Sequence, residues 1–226
     1  MFKVNRSLPA PLSLEEGRSY SAPDVALALS QDFFDKCYIC ETRDPISLNI
    51  EHFIAHQGNP SLMYDWCNLF LCCARCNNFK RHYYNELLDC TDQHIEIWRM
   101  IEHIPPTSPG GKVTITPTLN DSRTQSTAQL IFRVFNEDNT GNKQVTSIYL
   151  KKRLFAEYAE LVKHMNIFID PRSLEEEKND ATRRIRHMMS NAQEYSAFMR
   201  WAVVNDPIIY ELVADIIPTP AEVFEE

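Results

Sequence analysis

Cys37-Tyr38-Ile39-Cys40, then Asn49-Ile50-Glu51-His52-Phe53-Ile54-Ala55-His56, then Trp66-Cys67-Asn68-Leu69-Phe70-Leu71, and then Cys73-Ala74-Arg75-Cys76-Asn77-Asn78-Phe79-Lys80: these stretches, in this order, decide how the chain of 226 residues is read. Cys37, Cys40, Cys73 and Cys76 form two C-x-x-C pairs. Each pair places two thiolates on one side of a tight bend, and together they offer the four soft ligands of a tetrahedral structural zinc. Such a clasp would tie together the ends of a segment with little core of its own, so that metal binding contributes directly to folding. Cys72 is adjacent to Cys73, but only Cys73 gives the C-x-x-C spacing. Cys67 and Cys90 are read as packing residues, and buried free thiols remain the alternative for the whole set. The cysteine total of seven is odd, which with a reducing compartment argues against a disulfide framework.

The order C-x-x-C, acid-His, Asn-Leu, C-x-x-C-Asn-x-x-Lys resembles the zinc-knuckled HNH endonucleases, whose fold is a β-hairpin and a helix around one catalytic metal (the ββα-metal or His-Me finger). The resemblance implies roles for particular residues. His52 is expected to be the general base that takes a proton from the attacking water, and a side chain titrating near neutrality suits that task. Glu51 and Asn77 are expected to be oxygen ligands to a catalytic divalent ion, Mg²⁺ or Mn²⁺, which favours hard donors. Asn68 is the central asparagine that orients His52 through hydrogen bonds. Lys80, with Arg75 and Arg81, gives the helix a positive face for phosphate. Three positions depart from the family pattern: Glu51 stands where Asp is usual, Ala55 where Pro is usual, and no Gly follows Lys80. His56 and His82 have no fixed role in the family.

A zinc-protease reading fails, because H-E-x-x-H needs its acid after the first histidine and Glu51 precedes His52. A passive zinc knuckle that binds nucleic acid or protein without cutting is the remaining alternative. It would require neither the acid-His pair nor an asparagine at the ligand position.

The block around residues 49–84, with Tyr64-Asp65-Trp66-Cys67-Asn68-Leu69, is also similar to the PtuB-like effectors of anti-phage Septu and retron systems. So are Phe2-Lys3-Val4-Asn5-Arg6 and Ala197-Phe198-Met199-Arg200-Trp201. The resemblance implies a PtuA-like ABC-type ATPase as partner and nucleic acid as substrate, with DNA favoured over RNA.

Working outward, residues 1–23 are proline-containing and without periodicity, which predicts an extended arm with a weak core contribution. The nuclease domain is expected over 24–104, opening with a short helix near 22–34. Ile104-Pro105-Pro106-Thr107-Ser108-Pro109-Gly110-Gly111 is the clearest break, and 105–118 is read as a linker with a short strand at Val113–Thr116. Residues 119–226 predict an α-helical domain suited to partner docking. Its helices begin at Asn120-Asp121-Ser122, continue as a stripe over Lys143–Met165, and follow at 174–190, 192–203 and 207–217. The fold class expected is therefore α+β, a small zinc-stabilised module followed by a mainly helical domain.

A formal net charge of −8 excludes a protein that coats nucleic acid over its whole surface. Any binding face must be local, or completed by another subunit. Lys151-Lys152-Arg153 is read as a solvated helix face rather than a phosphate contact. No apolar run approaches the length of a membrane span and no signal-type segment opens the chain, so a cytoplasmic protein without a membrane partner is expected.

Overall fold

The computed structural model describes residues 1–138 and 145–217. Gly141, the start of the stripe at Lys143 and the last nine residues of the expected helical domain lie outside the described residues. The architecture is α+β: two separate two-stranded sheets embedded among helices.

A single turn of helix, α1 (Leu12–Glu15), precedes α2 (Pro23–Phe33). Pro23 stands in the first turn of α2, where its missing N–H costs nothing, and Phe34 closes the helix in the left-handed region at φ 57°. Strand β1 (Leu48–His52) is followed by a short helix, α3 (Pro60–Met63), and a 3₁₀ turn at Trp66–Asn68. Strand β2 (Leu69–Cys73) runs directly into α4 (Ala74–Lys80). β1 and β2 are antiparallel, with Leu48 opposite Cys73 and His52 opposite Leu69.

All five residues of β2 are buried. An unbroken apolar run of this kind suits a strand covered on both faces. Phe70 meets Phe33 of α2 at 5.4 Å and Tyr38 at 5.0 Å edge-on, and stacks on Phe53 at 4.8 Å. These aromatic contacts seat the β1–β2 pair on α2.

Strand β3 (Ile101–Ile104) pairs antiparallel with β4 (Thr114–Pro117), bridging the Pro-Gly-rich break. The segment read as a linker is thus the turn and second strand of a hairpin. Asn136 fixes it further, accepting from the Val113 amide at 3.0 Å and donating to the Val113 carbonyl at 2.9 Å. The remaining helices are α5 (Ser122–Asn136), α6 (Ser147–Ile169), α7 (Glu175–Met188), α8 (Ser196–Val204) and α9 (Pro207–Tyr210). Asp121 caps α5 at Thr124, and Asp206 caps α9. α9 is shorter than the expected 207–217, which continues as turns.

One contiguous set of buried side chains runs from Met1 to Ile217. Met1, Phe2 and Val4 are buried within it, and the Val4 amide donates to the Cys90 carbonyl at 2.8 Å. The expectation of a weak core contribution from residues 1–23 is corrected here. An extended segment buries apolar residues without any helical or strand period, so nothing in the pattern announced it. Trp98 and Trp201 meet edge-on at 5.8 Å and join the 3₁₀ turn at Ile97–Met100 to α8. Among the described residues no helix is long and apolar enough to cross a membrane.

Candidate metal centre and acid–histidine site

Cys37 and Cys40 sit on a turn closed by Glu41 N–H donating to Cys37 O at 2.9 Å. Cys73 ends β2 and Cys76 lies in the first turn of α4, with the Cys73 sulfur accepting from the Cys76 amide at 3.5 Å. The turn and the strand-to-helix junction converge. The four sulfurs all lie within 4.8 Å of one another, and all four residues are buried. Cys40 Sγ and Cys73 Sγ are 3.9 Å apart. A tetrahedron with metal–sulfur bonds of about 2.3 Å has edges of about 3.8 Å, so the group can hold a metal ion such as zinc.

Cys72 approaches Cys37 at 4.0 Å but stands outside the group, as its spacing implied. Burial works against a thiolate at Cys37, yet hydrogen bonds from Cys40, Cys72, Cys73 and Cys76 outweigh it and hold this thiol well below its ordinary range. Cys90 is buried as expected, whereas Cys67 is exposed. Its assignment to packing is corrected: the 3₁₀ turn faces Trp66 and Asn68 inward and leaves Cys67 outside.

Glu51 and His52 end β1, where strand alternation sends their side chains to opposite faces. Glu51 is 5% exposed. Its carboxylate pairs with Lys80 Nζ at 3.5 Å, and the same ammonium donates to the His52 carbonyl at 3.0 Å. Burial pushes the Glu51 carboxyl up to about 7, against the pull of the Lys80 ammonium and the nearby Tyr38 hydroxyl. Glu51 Oε1 is buried without a hydrogen-bond partner of good geometry.

His52 is half-buried, and its Nε2 lies 3.0 Å from the carbonyl oxygen of Met63. Tyr20 meets the imidazole edge-on at 4.8 Å and His56 lies at 4.5 Å. Burial draws the His52 pKa down, the Met63 bond opposes this, and His56 and Lys80 add to the depression. The ring is therefore biased towards the neutral form at neutral pH.

Asn68 is 4% exposed and every polar atom of its side chain is engaged with backbone. Oδ1 accepts from Ile54 N–H at 2.7 Å, and Nδ2 donates to Ile54 O and Leu62 O, each at 2.9 Å. Asn68 thereby ties the turn after β1 to α3, whose last carbonyl holds His52. Asn77 is half-buried on α4, three residues before Lys80 and so on the same side of the helix.

Two expected phosphate contacts are corrected. Arg75 is fully buried: its Nε donates to Val134 O at 2.8 Å, and NH1 and NH2 reach Val145 O and Glu137 O. Its guanidinium clamps α4 to the end of α5 and cannot reach solvent. Lys80 is 1% exposed and committed to Glu51 and the His52 carbonyl. Arg81, which closes α4 at φ 43°, is the exposed member of the trio. His82 is exposed beside Tyr83. The reading of the sequence missed Tyr20, Tyr38 and Met63; only Tyr38, inside a C-x-x-C knuckle, stood near a signal.

No family model matches the chain. It is similar to the Septu protein PtuB of Bacillus thuringiensis, 30% identical over 96 residues, a match spanning 38% of this chain and 37% of that protein. The similarity is distant and spans well under half the length of that relative.

Proposed function

We propose that this chain is a metal-dependent HNH-type endonuclease that serves as the nuclease of an anti-phage defence complex with a PtuA-like ABC-type ATPase. The observation that carries the reading is the His52 imidazole held by the Met63 carbonyl, one residue along β1 from the buried Glu51 carboxylate. A carbonyl can only accept, so Nε2 bears the proton and Nδ1 keeps its lone pair. A neutral, oriented imidazole with one basic nitrogen is what removal of a proton from water requires.

The cysteine group fits a structural zinc by donor type and by spacing. For the catalytic ion, Glu51 Oε1 is the fitting feature: a buried carboxylate oxygen with no hydrogen-bond donor. Glu51 and Asn77 would hold Mg²⁺ or Mn²⁺. When bound, that ion supplies positive charge to the scissile phosphate and its leaving oxygen.

The chain's own residues then divide the work. His52 Nδ1 accepts the proton of the attacking water. Asn68 fixes the Ile54 and Leu62 backbones on either side of the base. Lys80 compensates the Glu51 charge, a pairing that a buried carboxylate needs if it is to ionise. Arg81 remains as the exposed cation for phosphate. The net charge of −8 accords with a small local binding face that the ATPase extends. The similarity to a Septu PtuB supports the defence context, and DNA is the favoured substrate.

The buried Glu51–Lys80 pair is also what a non-catalytic zinc-knuckle binding module would use for structure alone. The two readings part in one experiment. The chain and its His52→Ala variant are purified, assayed for zinc, and tested for plasmid and RNA cleavage in Mg²⁺ or Mn²⁺, with and without the ATPase. Zinc of about one per chain in both, with cleavage only in the parent, supports the nuclease. Cleavage that survives His52→Ala, or none with the partner present, sinks it.

A further inference from the structure

Arg6 lies in the N-terminal segment, far in sequence from the acid–histidine pair. Its guanidinium sits among three aromatic rings, at 5.3 Å from Phe33, 4.5 Å from Trp66 and 5.2 Å from Phe70. NH2 donates to both the Trp66 and the Leu69 carbonyls, while NH1 faces Asp32 at 4.0 Å. Those two carbonyls bracket the 3₁₀ turn that carries Asn68. The next residue reinforces the grip, because the Trp66 indole N–H donates to the Ser7 carbonyl at 2.9 Å. Asp32 in turn accepts from the Ser7 amide at 3.0 Å and holds the segment in place.

From the turn, fixed contacts continue to the base. Asn68 Nδ2 donates to Leu62 O, and the following carbonyl, Met63 O, holds His52 Nε2. A second contact from the same N-terminal segment reaches the same ring, since Tyr20 lies edge-on against His52. A guanidinium is suited to this place because its NH2 carries one N–H for each carbonyl while its faces lie on aromatic rings.

We infer that Arg6 is a positioning residue for His52: by gripping the Trp66 and Leu69 carbonyls it sets Asn68, and through Asn68 the α3 carbonyl that fixes the imidazole. This rests on the nuclease reading only for its consequence in turnover; the mechanical claim about the ring stands apart from it. Arg6→Lys keeps a cation among the three rings, but its shorter side chain leaves the ammonium short of the NH2 position that serves both carbonyls, so the fold is retained while the turn is released.

The test uses the full-length, zinc-loaded chain and reads the His52 ring directly. Long-range ¹H–¹⁵N spectra of the histidines are recorded at one fixed pH near neutrality, with His52→Ala to assign the signal. The parent is expected to show a single Nε2–H tautomer with a slowly exchanging proton. Arg6→Lys is expected to show mixed tautomers and fast exchange, with zinc content and unfolding midpoint close to the parent. In the cleavage assay its kcat should fall by roughly ten- to a hundredfold with KM within about twofold, since misplacing a reacting group is costly while binding is untouched. Arg6→Ala should show the same loss more strongly if it folds, and Arg6→Lys carries the test if it does not. A folded Arg6→Lys chain with the parent's His52 spectrum overturns the inference. Absence of cleavage in the parent would instead remove the nuclease reading and leave the ring measurement to decide Arg6.

Discussion

His52 Nε2 stands 3.0 Å from the carbonyl oxygen of Met63, and this contact fixes which nitrogen of the ring can act as a base. The carbonyl sits at the end of a four-residue helix that would be marginal alone, and Asn68 holds that helix through Leu62. The chemistry proposed for His52 therefore depends on a backbone group eleven residues away and on a side chain that never touches substrate.

Asn68→Ala follows from that dependence. The change strips partners from the Ile54 amide and from the Ile54 and Leu62 carbonyls, whose bonds to Asn68 are partly buried. A fully buried polar group left unpaired costs about 1–3 kcal/mol, and water can reach these partly buried groups, so the variant should lose about 1–3 kcal/mol of stability in all. Denaturant unfolding checks this. Asn68→Asp should be no more stable than Asn68→Ala, because a carboxylate oxygen in place of Nδ2 faces the Ile54 and Leu62 carbonyls with no proton to donate. A stability unchanged in Asn68→Ala would refute the bridging role.

The cysteines give a sharper contrast. Cys73→Ser should lose the bound metal and much of the fold, because binding free energy at such a site is folding free energy. Cys72→Ser, one residue away and outside the group, should keep its metal and unfold near the parent's midpoint. Zinc content and thermal unfolding of the two purified variants decide it. Equal loss in both would mean that the ligand set is wrong.

Arg75 and Arg81 should separate stability from binding. Arg75→Ala leaves the carbonyls of Val134, Val145 and Glu137 without their buried donor, and should destabilise by about 2–4 kcal/mol. Arg81→Ala, on the surface, should change stability by no more than about 0.5 kcal/mol. It should instead weaken nucleic-acid binding and lower the salt slope by about one counter-ion. Salt-dependent binding titrations beside unfolding curves test both halves; an Arg75→Ala protein of parental stability would contradict the clamp.

Two buried groups should shape the pH dependence of stability in opposite senses when no divalent ion is added. Burial lowers His103 from 6.5 to about 3, helped by the neighbouring Met1 amine. Between those values the unfolded chain takes up a proton that the folded one does not, so His103 makes stability fall as pH falls. Burial raises Glu51 from 4.5 to about 7, so in its window the folded chain holds a proton that the unfolded one releases. Glu51 thus makes stability fall as pH rises. Each contributes up to about 1.4 kcal/mol per pH unit, and between pH 4.5 and 6.5 they offset. Glu51→Gln should expose a stability that rises with pH over this range, and His103→Gln one that declines. Parallel slopes in the two variants would show that one of the assignments is mistaken.

The sequence by itself determined the elements that depend on local spacing. Two C-x-x-C pairs named the four thiols that come together. Apolar patterning located α2, α5, α6 and α7, with Asp121 capping α5 as expected, and the Glu-His and Asn-Leu motifs singled out Glu51, His52 and Asn68. What the sequence left open depends on contacts between segments remote along the chain. Arg75 and Lys80 looked like a positive face because a charged residue on a short helix carries no mark of burial. Only packing against the end of α5, and against Glu51, turned them inward. Met1, Phe2 and Val4 joined the core without periodicity, since an extended strap needs no repeat to bury apolar side chains. The Pro-Gly break read as a linker because turn residues mark a change of direction, and pairing between β3 and β4 is a long-range event that no turn residue reports. The orientation of His52 was decided by tertiary structure alone: one backbone carbonyl fixes the tautomer, and a backbone carbonyl has no identity in a sequence.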